Sequence, residues 1–329
     1  MRDRFGRDIN YLRISVTDRC PARCIYCVPK EGVNWIPHRE ILSFEEMLRV
    51  TRVMAELGID RVKVTGGEPL ARRGVVPFIA SLVKMPGIKT VSLTTNAFFL
   101  DEPMLKELLD AGISAVTISI DSLDEGRFAR ITGSSKFNTV RGSLERVFSS
   151  KLPVKINTVP IAACNEEDIP EIANLARDHK ADVRFIELMP TGGGAALRGI
   201  PNTEILSRLR KEFGTFTACD NHGAGPARYY TVRNFKGRIG FISPLSHIFC
   251  SSCNRLRLSA SGLLRPCLAH ETSVNLKALL RGGARDEEIE GVILGAVYAK
   301  PRSHNFLRSA ERDSEPEQNT AGGLYKIGG

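Results

Sequence analysis

Three cysteines stand within eight residues near the start of the chain, at Cys20, Cys24 and Cys27. Thiolates at this spacing wrap one face of a metal centre, and a [4Fe-4S] cluster normally takes four of them. No fourth cysteine lies nearby in the sequence, so a cluster held here leaves one iron open to a ligand that is not protein. A zinc site is the alternative, and its nearest further ligand is His38, which follows Pro37 and has no matching pair. The spacing therefore favours an iron–sulfur centre that binds a small molecule.

Length and composition predict a large globular protein. The 329 residues are 42% hydrophobic, enough for one barrel-sized domain or for a barrel with a smaller module. No apolar run reaches the ~20 residues that span a bilayer, and the first residues lack an apolar signal core. We therefore expect a cytoplasmic protein with no membrane partner, in which most of the eight cysteines are metal ligands rather than disulfides.

The chain is basic, with a formal net charge of +9, which favours an anionic partner. Its cations are scattered in ones and twos, whereas a nucleic-acid-binding face usually shows a patch or a stripe of them. We expect no nucleic-acid partner. A small polyanion held by a few converging cations fits the charge equally well.

Strands and helices alternate through the first 190 residues. Because six strands alternate with helices, the pattern predicts a parallel sheet, in the form of a partial (β/α)6 barrel with active residues at the carboxyl ends of its strands. A helix capped by Ser43 and ended by Gly58 follows the first strand. The predicted strands are 11–17, 61–65, 90–94, 115–120, 153–160 and 183–188.

Three cations interrupt otherwise apolar strands: Arg13, Lys63 and Lys155. A buried ammonium without a partner is costly, so we expect these side chains to point into the barrel and converge on a phosphate or carboxylate. The alternation stops at Thr191-Gly192-Gly193-Gly194, which predicts a flexible joint. The predicted division is a barrel over 1–195 and a C-terminal region over 196–329.

A second set of three cysteines lies in the C-terminal region, at Cys250, Cys253 and Cys267. Again no fourth cysteine accompanies them. His247 or His270 would complete a zinc site. Spacing alone leaves zinc and iron–sulfur both open here.

The Cys-x3-Cys-x2-Cys loop with Tyr26 before its third cysteine resembles the signature of radical S-adenosylmethionine enzymes. Gly66-Gly67-Glu68-Pro69 resembles their GGEP motif, which receives the methionine amino group. From Phe5-Gly6-Arg7 to Gly328-Gly329, the whole chain resembles the molybdenum-cofactor biosynthesis protein A family, the GTP 3′,8-cyclases. The resemblance implies two [4Fe-4S] clusters, the first cleaving S-adenosylmethionine and the second binding the guanine of GTP. The implied reaction converts GTP to (8S)-3′,8-cyclo-7,8-dihydroguanosine 5′-triphosphate, an early step towards molybdopterin.

Site residues follow from the resemblance, position by position. The implied cluster ligands are Cys20, Cys24, Cys27, Cys250, Cys253 and Cys267. The implied contacts to S-adenosylmethionine are Tyr26, Gly67, Ser119 and Met189. The implied contacts to GTP are Arg13, Lys63, Thr94, Lys155, Arg255 and Arg257, and Arg13, Arg255 and Arg257 are the implied catalytic residues.

The resemblance also implies partners and a role for the chain's end. The partners are GTP, a reductase or flavodoxin-type electron donor, and the next enzyme of molybdopterin synthesis, while a homodimer is left open. In the family the terminal Gly328-Gly329 pair enters the active site and helps to place the arginines. This sequence departs from the family at Pro21, where Asn is usual.

Two other functions are weighed against this one. A radical enzyme that modifies a peptide would use its auxiliary cluster for electron transfer and would carry more, fully ligating cysteines. A metal-stabilised nucleic-acid-binding protein would explain the charge, but neither the Gly66-Gly67-Glu68-Pro69 motif nor the cations within strands.

Overall fold

The computed structural model describes residues 1–29, 32–220 and 225–306. Six parallel strands alternate with helices in its first part, as the sequence predicts, and each predicted strand end lies within two residues of the observed one. The predicted Gly328-Gly329 contact lies outside the described residues. The strands are β1 (Tyr11–Ser15), β2 (Arg61–Thr65), β3 (Thr90–Thr95), β4 (Ala115–Ser119), β5 (Val154–Thr158) and β6 (Ala181–Ile186). The helices are α1 (Phe44–Glu56), α2 (Val75–Val83), α3 (Glu102–Asp110), α4 (Glu125–Thr132), α5 (Phe137–Ser149) and α6 (Ile169–Asp178).

The C-terminal part adds strands to both edges of this sheet. Its elements are α7 (Asn202–Phe213), β7 (Phe216–Cys219), β8 (Arg228–Val232), β9 (Arg238–Ile242), β10 (Arg255–Leu258), β11 (Leu263–Arg265), β12 (Val274–Asn275), α8 (Leu276–Arg281) and α9 (Asp286–Tyr298). The strand order is β12-β11-β10-β1-β2-β3-β4-β5-β6-β9-β8-β7, with β10 parallel to β1 and β9 parallel to β6. One sheet therefore runs through both parts of the chain, and the division at residue 195 remains a prediction.

Side chains alternate between two faces along the parallel strands. Leu12 and Ile14 are fully buried in the hydrophobic core, whereas Arg13 between them is on the opposite face of β1. Val62 and Val64 flank Lys63 in the same way on β2. The apolar face packs under the helices, so the polar face lines the inside of the partial barrel.

Helix α1 begins where the sequence predicts. The Ser43 hydroxyl accepts a hydrogen bond from the Glu46 N–H at 3.1 Å, and the Glu46 carboxylate accepts one from the Ser43 N–H at 2.7 Å. This reciprocal capping satisfies two of the N–H groups that a helix start leaves unpaired. Gly58 then ends the helical segment with a φ of 99°.

The prediction of a flexible joint at the Gly192 to Gly194 run is wrong. These residues begin a short 3-10 turn (Gly192–Ala196) that packs on the first cysteine loop, where the Gly194 N–H donates to the Tyr26 carbonyl at 3.0 Å. A Cβ on Gly193 would collide with the Ile25 carbonyl oxygen. The glycines serve close packing of two backbones rather than mobility.

Over the described ranges, which exclude 30–31, 221–224 and 307–329, the structure has no helix long and apolar enough to cross a membrane.

Candidate active site

The first cysteine loop follows β1 at the carboxyl end of the sheet. It is held in place by the end of α4, since the N–H groups of Arg23 and Ile25 donate to the carbonyls of Thr132 and Ile131 at 2.7 and 3.0 Å. Within the loop, the Cys27 N–H donates to the Cys24 carbonyl at 2.8 Å. This tight turn keeps the three thiols on one short arc of chain.

Gly67 and Glu68 fasten the end of β2 to this loop. The Gly67 N–H donates to the Thr17 carbonyl at 2.6 Å, and the Glu68 N–H donates to the Arg19 carbonyl at 2.7 Å, one residue before Cys20. Burial raises the pKa of the Glu68 carboxyl to about 7, although it accepts hydrogen bonds from the Asn96 N–H and the Thr95 hydroxyl, both at 2.7 Å. An ammonium group beside this buried carboxyl would favour its charged form.

Tyr26 and Asp121 connect the cysteine loop to the end of β4. The Tyr26 hydroxyl donates to the Asp121 carboxylate at 2.7 Å, and Asp121 also accepts the Val159 N–H at 2.8 Å. Burial raises the pKa of Asp121 to about 6. Asp121 has no part in the sequence predictions, because nothing in its local pattern shows the contact with Tyr26.

The cations predicted from the strands lie together. In the sheet register Arg13 stands directly beside Lys63 on one side and Arg257 on the other. Lys155 stands beside Thr117, whose hydroxyl accepts a hydrogen bond from the Lys63 ammonium at 2.9 Å. The cations on β10, β1, β2 and β5, within a run of six neighbouring strands, therefore concentrate positive charge inside the barrel.

The mutual repulsion of these cations is visible in their pKa values. Burial first, and then the charges of Arg184, Arg13 and Lys155, lower the pKa of Lys63 well below its ordinary value. Burial, Arg13 and Arg255 act likewise on the pKa of Arg257. Such a cluster is unfavourable unless an anion neutralises it, which makes it a candidate binding site for a polyanion.

Arg184 on β6 is the cation that sequence analysis missed. It is buried, donates to the Thr117 hydroxyl at 3.3 Å, and leaves its Nε without a hydrogen-bond partner. The sequence pattern that could have found Arg184 is the one that marks Lys155, a cation between apolar strand residues, here Val183 and Phe185. A buried guanidinium N–H that has no hydrogen-bond partner and lies near other cations indicates that an acceptor is missing.

The remaining predicted contacts lie at the ends of the expected strands, and in the described part of the chain none of their side chains hydrogen-bonds to the cluster of cations. Thr94 is half-buried on β3 beside Thr117, and Ser119 is half-buried at the end of β4. Met189 follows β6 and is half-buried near the Gly194 backbone. Their roles toward S-adenosylmethionine and GTP remain predictions.

The second cysteine set lies at the opposite end of the barrel. Because β10 is parallel to β1, Cys250 and Cys253 at the start of β10 lie near Tyr11, at the amino end of β1. Strand β11 runs antiparallel to β10, so Cys267, just beyond its end, reaches the same place. Strand β1, with about 3.3 Å per residue, therefore separates the two sets by on the order of 13 Å or more.

Positive charge also surrounds the second set. The Arg255 guanidinium donates to the Cys253 sulfur at 3.7 Å. Burial opposes ionisation of this thiol, but Arg255 and Lys300 outweigh burial and lower its pKa to about 7. A thiol that ionises readily is a ready metal ligand.

The donor sets fit iron–sulfur clusters. All eight cysteines are free thiols. In the described ranges no three His, Cys, Asp or Glu side chains converge closely enough to hold a single metal ion. Each thiolate of a cubane cluster binds a different iron, so the two three-cysteine loops do not need to converge on one point. His270, considered for zinc, instead hydrogen-bonds the Ser303 carbonyl at 3.1 Å.

Comparison with known proteins identifies both parts of the chain. The Radical SAM superfamily matches residues 14–176, and the family Molybdenum Cofactor Synthesis C matches residues 181–306. The fold also resembles the crystal structure of Streptococcus suis SuiB bound to S-adenosylmethionine, with a TM-score of 0.63 and 16% identity, over 88% of this chain and 68% of that one. The partial barrel and the three-cysteine loop at its carboxyl end define a radical S-adenosylmethionine enzyme.

Curated relatives give the family. The chain is 40% identical to a GTP 3′,8-cyclase of Clostridium perfringens strain 13 over 330 residues, covering 100% of both chains. It is 44% identical to a GTP 3′,8-cyclase of Desulforamulus reducens over 311 residues, covering 93% of this chain and 95% of the relative. The chain belongs to the GTP 3′,8-cyclase family.

Proposed function

We propose that this chain cyclises GTP to (8S)-3′,8-cyclo-7,8-dihydroguanosine 5′-triphosphate, using S-adenosylmethionine and two [4Fe-4S] clusters, on the way to molybdopterin. The observation that carries the proposal is the set of cations inside the barrel between the two cysteine sets. Those cations are Arg13, Lys63, Lys155, Arg184, Arg255 and Arg257.

A nucleoside triphosphate matches this arrangement in both charge and length. Its phosphates neutralise cations that otherwise repel one another within a buried space. Its base and sugar then extend toward the ends of the barrel, where the cysteine sets lie. A peptide substrate, the alternative from sequence, would leave this buried charge without an acceptor, and the likeness to SuiB concerns the fold alone.

The chain's own residues bind and orient the two small molecules and shield the site from water. Cys20, Cys24 and Cys27 would hold the first cluster, which would supply the electron for reductive cleavage of S-adenosylmethionine. Glu68 offers a carboxylate to the methionine amino group, and its three hydrogen bonds hold that carboxylate still. The cations inside the barrel hold the triphosphate, and thereby fix the position of the ribose. The sheet and its helices keep water from the radical.

The test is anaerobic turnover of the reconstituted protein with GTP, S-adenosylmethionine and dithionite. We expect 5′-deoxyadenosine and the cyclised nucleotide to form together. No cyclised nucleotide should form when S-adenosylmethionine is left out or when ATP replaces GTP. 5′-Deoxyadenosine with unaltered GTP, under conditions in which a family enzyme turns over, would refute the proposal.

Iron content provides a separate prediction. Two three-cysteine sets should hold about eight irons per chain after anaerobic reconstitution. Replacing Cys250, Cys253 and Cys267 together by Ala should lower this to about four and leave the cleavage of S-adenosylmethionine detectable. Iron and sulfide analysis checks the numbers, and stoichiometric zinc in place of iron would contradict them.

The proposal extends to partners and location. We propose that a reductase or flavodoxin-type protein supplies the electron, that the product passes to the next enzyme of molybdopterin synthesis, and that the protein is cytoplasmic. An oxygen-sensitive radical enzyme with free thiols suits a reducing compartment. A homodimer is also compatible with this role, and light scattering of the reconstituted protein would show whether one forms.

A further inference from the structure

A buried lysine lies against both arms of the second cysteine set. Lys300, two residues beyond the end of α9, is 2% exposed. Its ammonium donates to the Arg255 carbonyl at 2.8 Å and also to the Pro266 carbonyl. Arg255 follows Cys253 by two residues, and Pro266 immediately precedes Cys267. One side chain thus ties together the two loops that must present their thiols to one centre.

A buried arginine, Arg7, holds the backbone at the remaining cysteine, Cys250. The Arg7 guanidinium donates to the Cys250 carbonyl at 2.8 Å and to the Pro301 carbonyl at 2.7 Å. Asp3 holds Arg7 by an ion pair of 2.5 Å. Because Pro301 directly follows Lys300, the two buried cations and the two loops that carry Cys250, Cys253 and Cys267 form one connected unit.

The two cations differ in how their charge is balanced. Arg7 has Asp3, whereas no carboxylate forms an ion pair with Lys300 in the part of the chain that the structure describes. Two backbone carbonyls accept hydrogen bonds from it but carry no net charge. A buried ammonium is costly without an anion. The groups beside it that become anionic when they bind a metal are the Cys253 and Cys267 sulfurs, on the two loops that its hydrogen bonds join.

We propose that Lys300 is a positioning residue for the second cluster: it fixes the Cys253 and Cys267 arms relative to each other, and its charge makes that cluster easier to reduce. The inference rests on the proposed function in one respect, that this set holds an iron–sulfur cluster. Net charge and hydrogen bonding near a cluster set its reduction potential. A cation fixed beside the cluster stabilises the reduced, more negative form.

The test compares three substitutions in the full-length, reconstituted protein. Lys300→Met removes the charge and the donors at nearly constant length, Lys300→Gln keeps a donor without the charge, and Lys300→Arg keeps the charge. The matched control is Lys236→Met, since Lys236 is exposed and also donates to a backbone carbonyl, that of Asp178, at 2.9 Å. Each protein is analysed for iron and titrated with reductant under electron paramagnetic resonance. The first cluster is recognised as the one whose signal changes when S-adenosylmethionine is added.

We expect the reduced-to-oxidised ratio of the second cluster at a fixed potential to fall at least tenfold in Lys300→Met, a shift of about 59 mV for a one-electron couple. Lys300→Arg should stay within threefold of the unsubstituted protein, and Lys236→Met should match it. Selective loss of about four of eight irons in Lys300→Met, with the first cluster intact, would equally support the positioning role. If Lys300→Met does not fold, Lys300→Gln is judged by the same criteria.

Two results would overturn the inference: full iron content with an unchanged ratio, or equal shifts of both clusters, which mark a general structural role. A shortage of iron at the second set in the unsubstituted protein is a different result. It would refute the proposed cofactor content itself, before any variant is compared.

Discussion

Cyclisation of GTP should fall about 10²-fold or more when Arg257 is replaced by Ala, while cleavage of S-adenosylmethionine continues. Arg257 is 9% exposed and stands beside Arg13 in the sheet, on the face that lines the barrel. We expect its loss to remove charge-assisted hydrogen bonds to the triphosphate and to let the nucleotide shift, and a displacement of ~1 Å is enough for a loss of this size. The Cys20 loop lies beyond the carboxyl end of β1, whereas Arg257 stands beside the middle of this strand, so cleavage of S-adenosylmethionine should persist. The measurement is single-turnover yield of both 5′-deoxyadenosine and cyclised nucleotide.

The control for this experiment is Arg228→Ala. Arg228 is an exposed cation on β8 of the same sheet, and its loss changes the net charge by the same amount. We expect it to retain nearly all cyclisation. Equal loss of both reactions in Arg257→Ala, with the fold and the iron content intact, would show that the two ends of the barrel do not divide the work as described.

Gly67→Ala should abolish assembly of the first cluster. A Cβ at this position would collide with the Arg19 carbonyl oxygen and would lie 2.6 Å from both the Arg19 carbonyl carbon and the Asp18 carbonyl oxygen. These are backbone atoms, which cannot rotate away as the end of a side chain can. The segment that leads into Cys20 must therefore move, and with it the hydrogen bonds that fasten Gly67 and Glu68 to it. We expect iron content to fall from about eight to about four and cleavage of S-adenosylmethionine to drop at least ~10²-fold.

The matched control is Gly295→Ala on the exposed side of α9. No atom lies within 4 Å of a Cβ built there, so Ala should fit and raise helix stability by about 0.5–1 kcal/mol. Urea unfolding and iron analysis of both variants make the comparison. Full cluster content in Gly67→Ala would mean that the loop tolerates displacement, and that the close approach has no role in holding the first cluster.

The spacing of apolar residues and the chemistry of individual side chains account for the features that the sequence predicts well. The six parallel strands follow from buried residues such as Leu12 and Ile14 that alternate with polar ones, and the Ser43 cap follows from its spacing to Glu46. Lys155 interrupts an apolar strand, and because burial of an unpaired charge is costly, the sequence predicts that its side chain points into the barrel. These signals are local, so a single sequence contains them.

Long-range contacts account for what the sequence does not predict. The hydrogen bond from Tyr26 to Asp121 joins residues 95 positions apart, and the bond from Lys300 to Arg255 joins residues 45 apart. The glycines at Gly193 and Gly194 have the composition of a linker, yet they pack against the cysteine loop. A glycine that gives mobility and one that allows close packing look alike in sequence. Only the part of the fold that packs against the glycine distinguishes them.

The insertion of β10 beside β1 determines when the binding site comes into existence during synthesis. Asn254 bonds to Asn10 across 244 positions, so the edge of β1 lacks its neighbour until most of the chain has left the ribosome. At ~5–20 residues per second, that interval lasts on the order of 10 s or more. Until then, β1 offers an unpaired edge and Arg13 lacks the neighbouring Arg257. The nascent barrel therefore stays incomplete, with one edge of β1 unpaired, until β10 has been made.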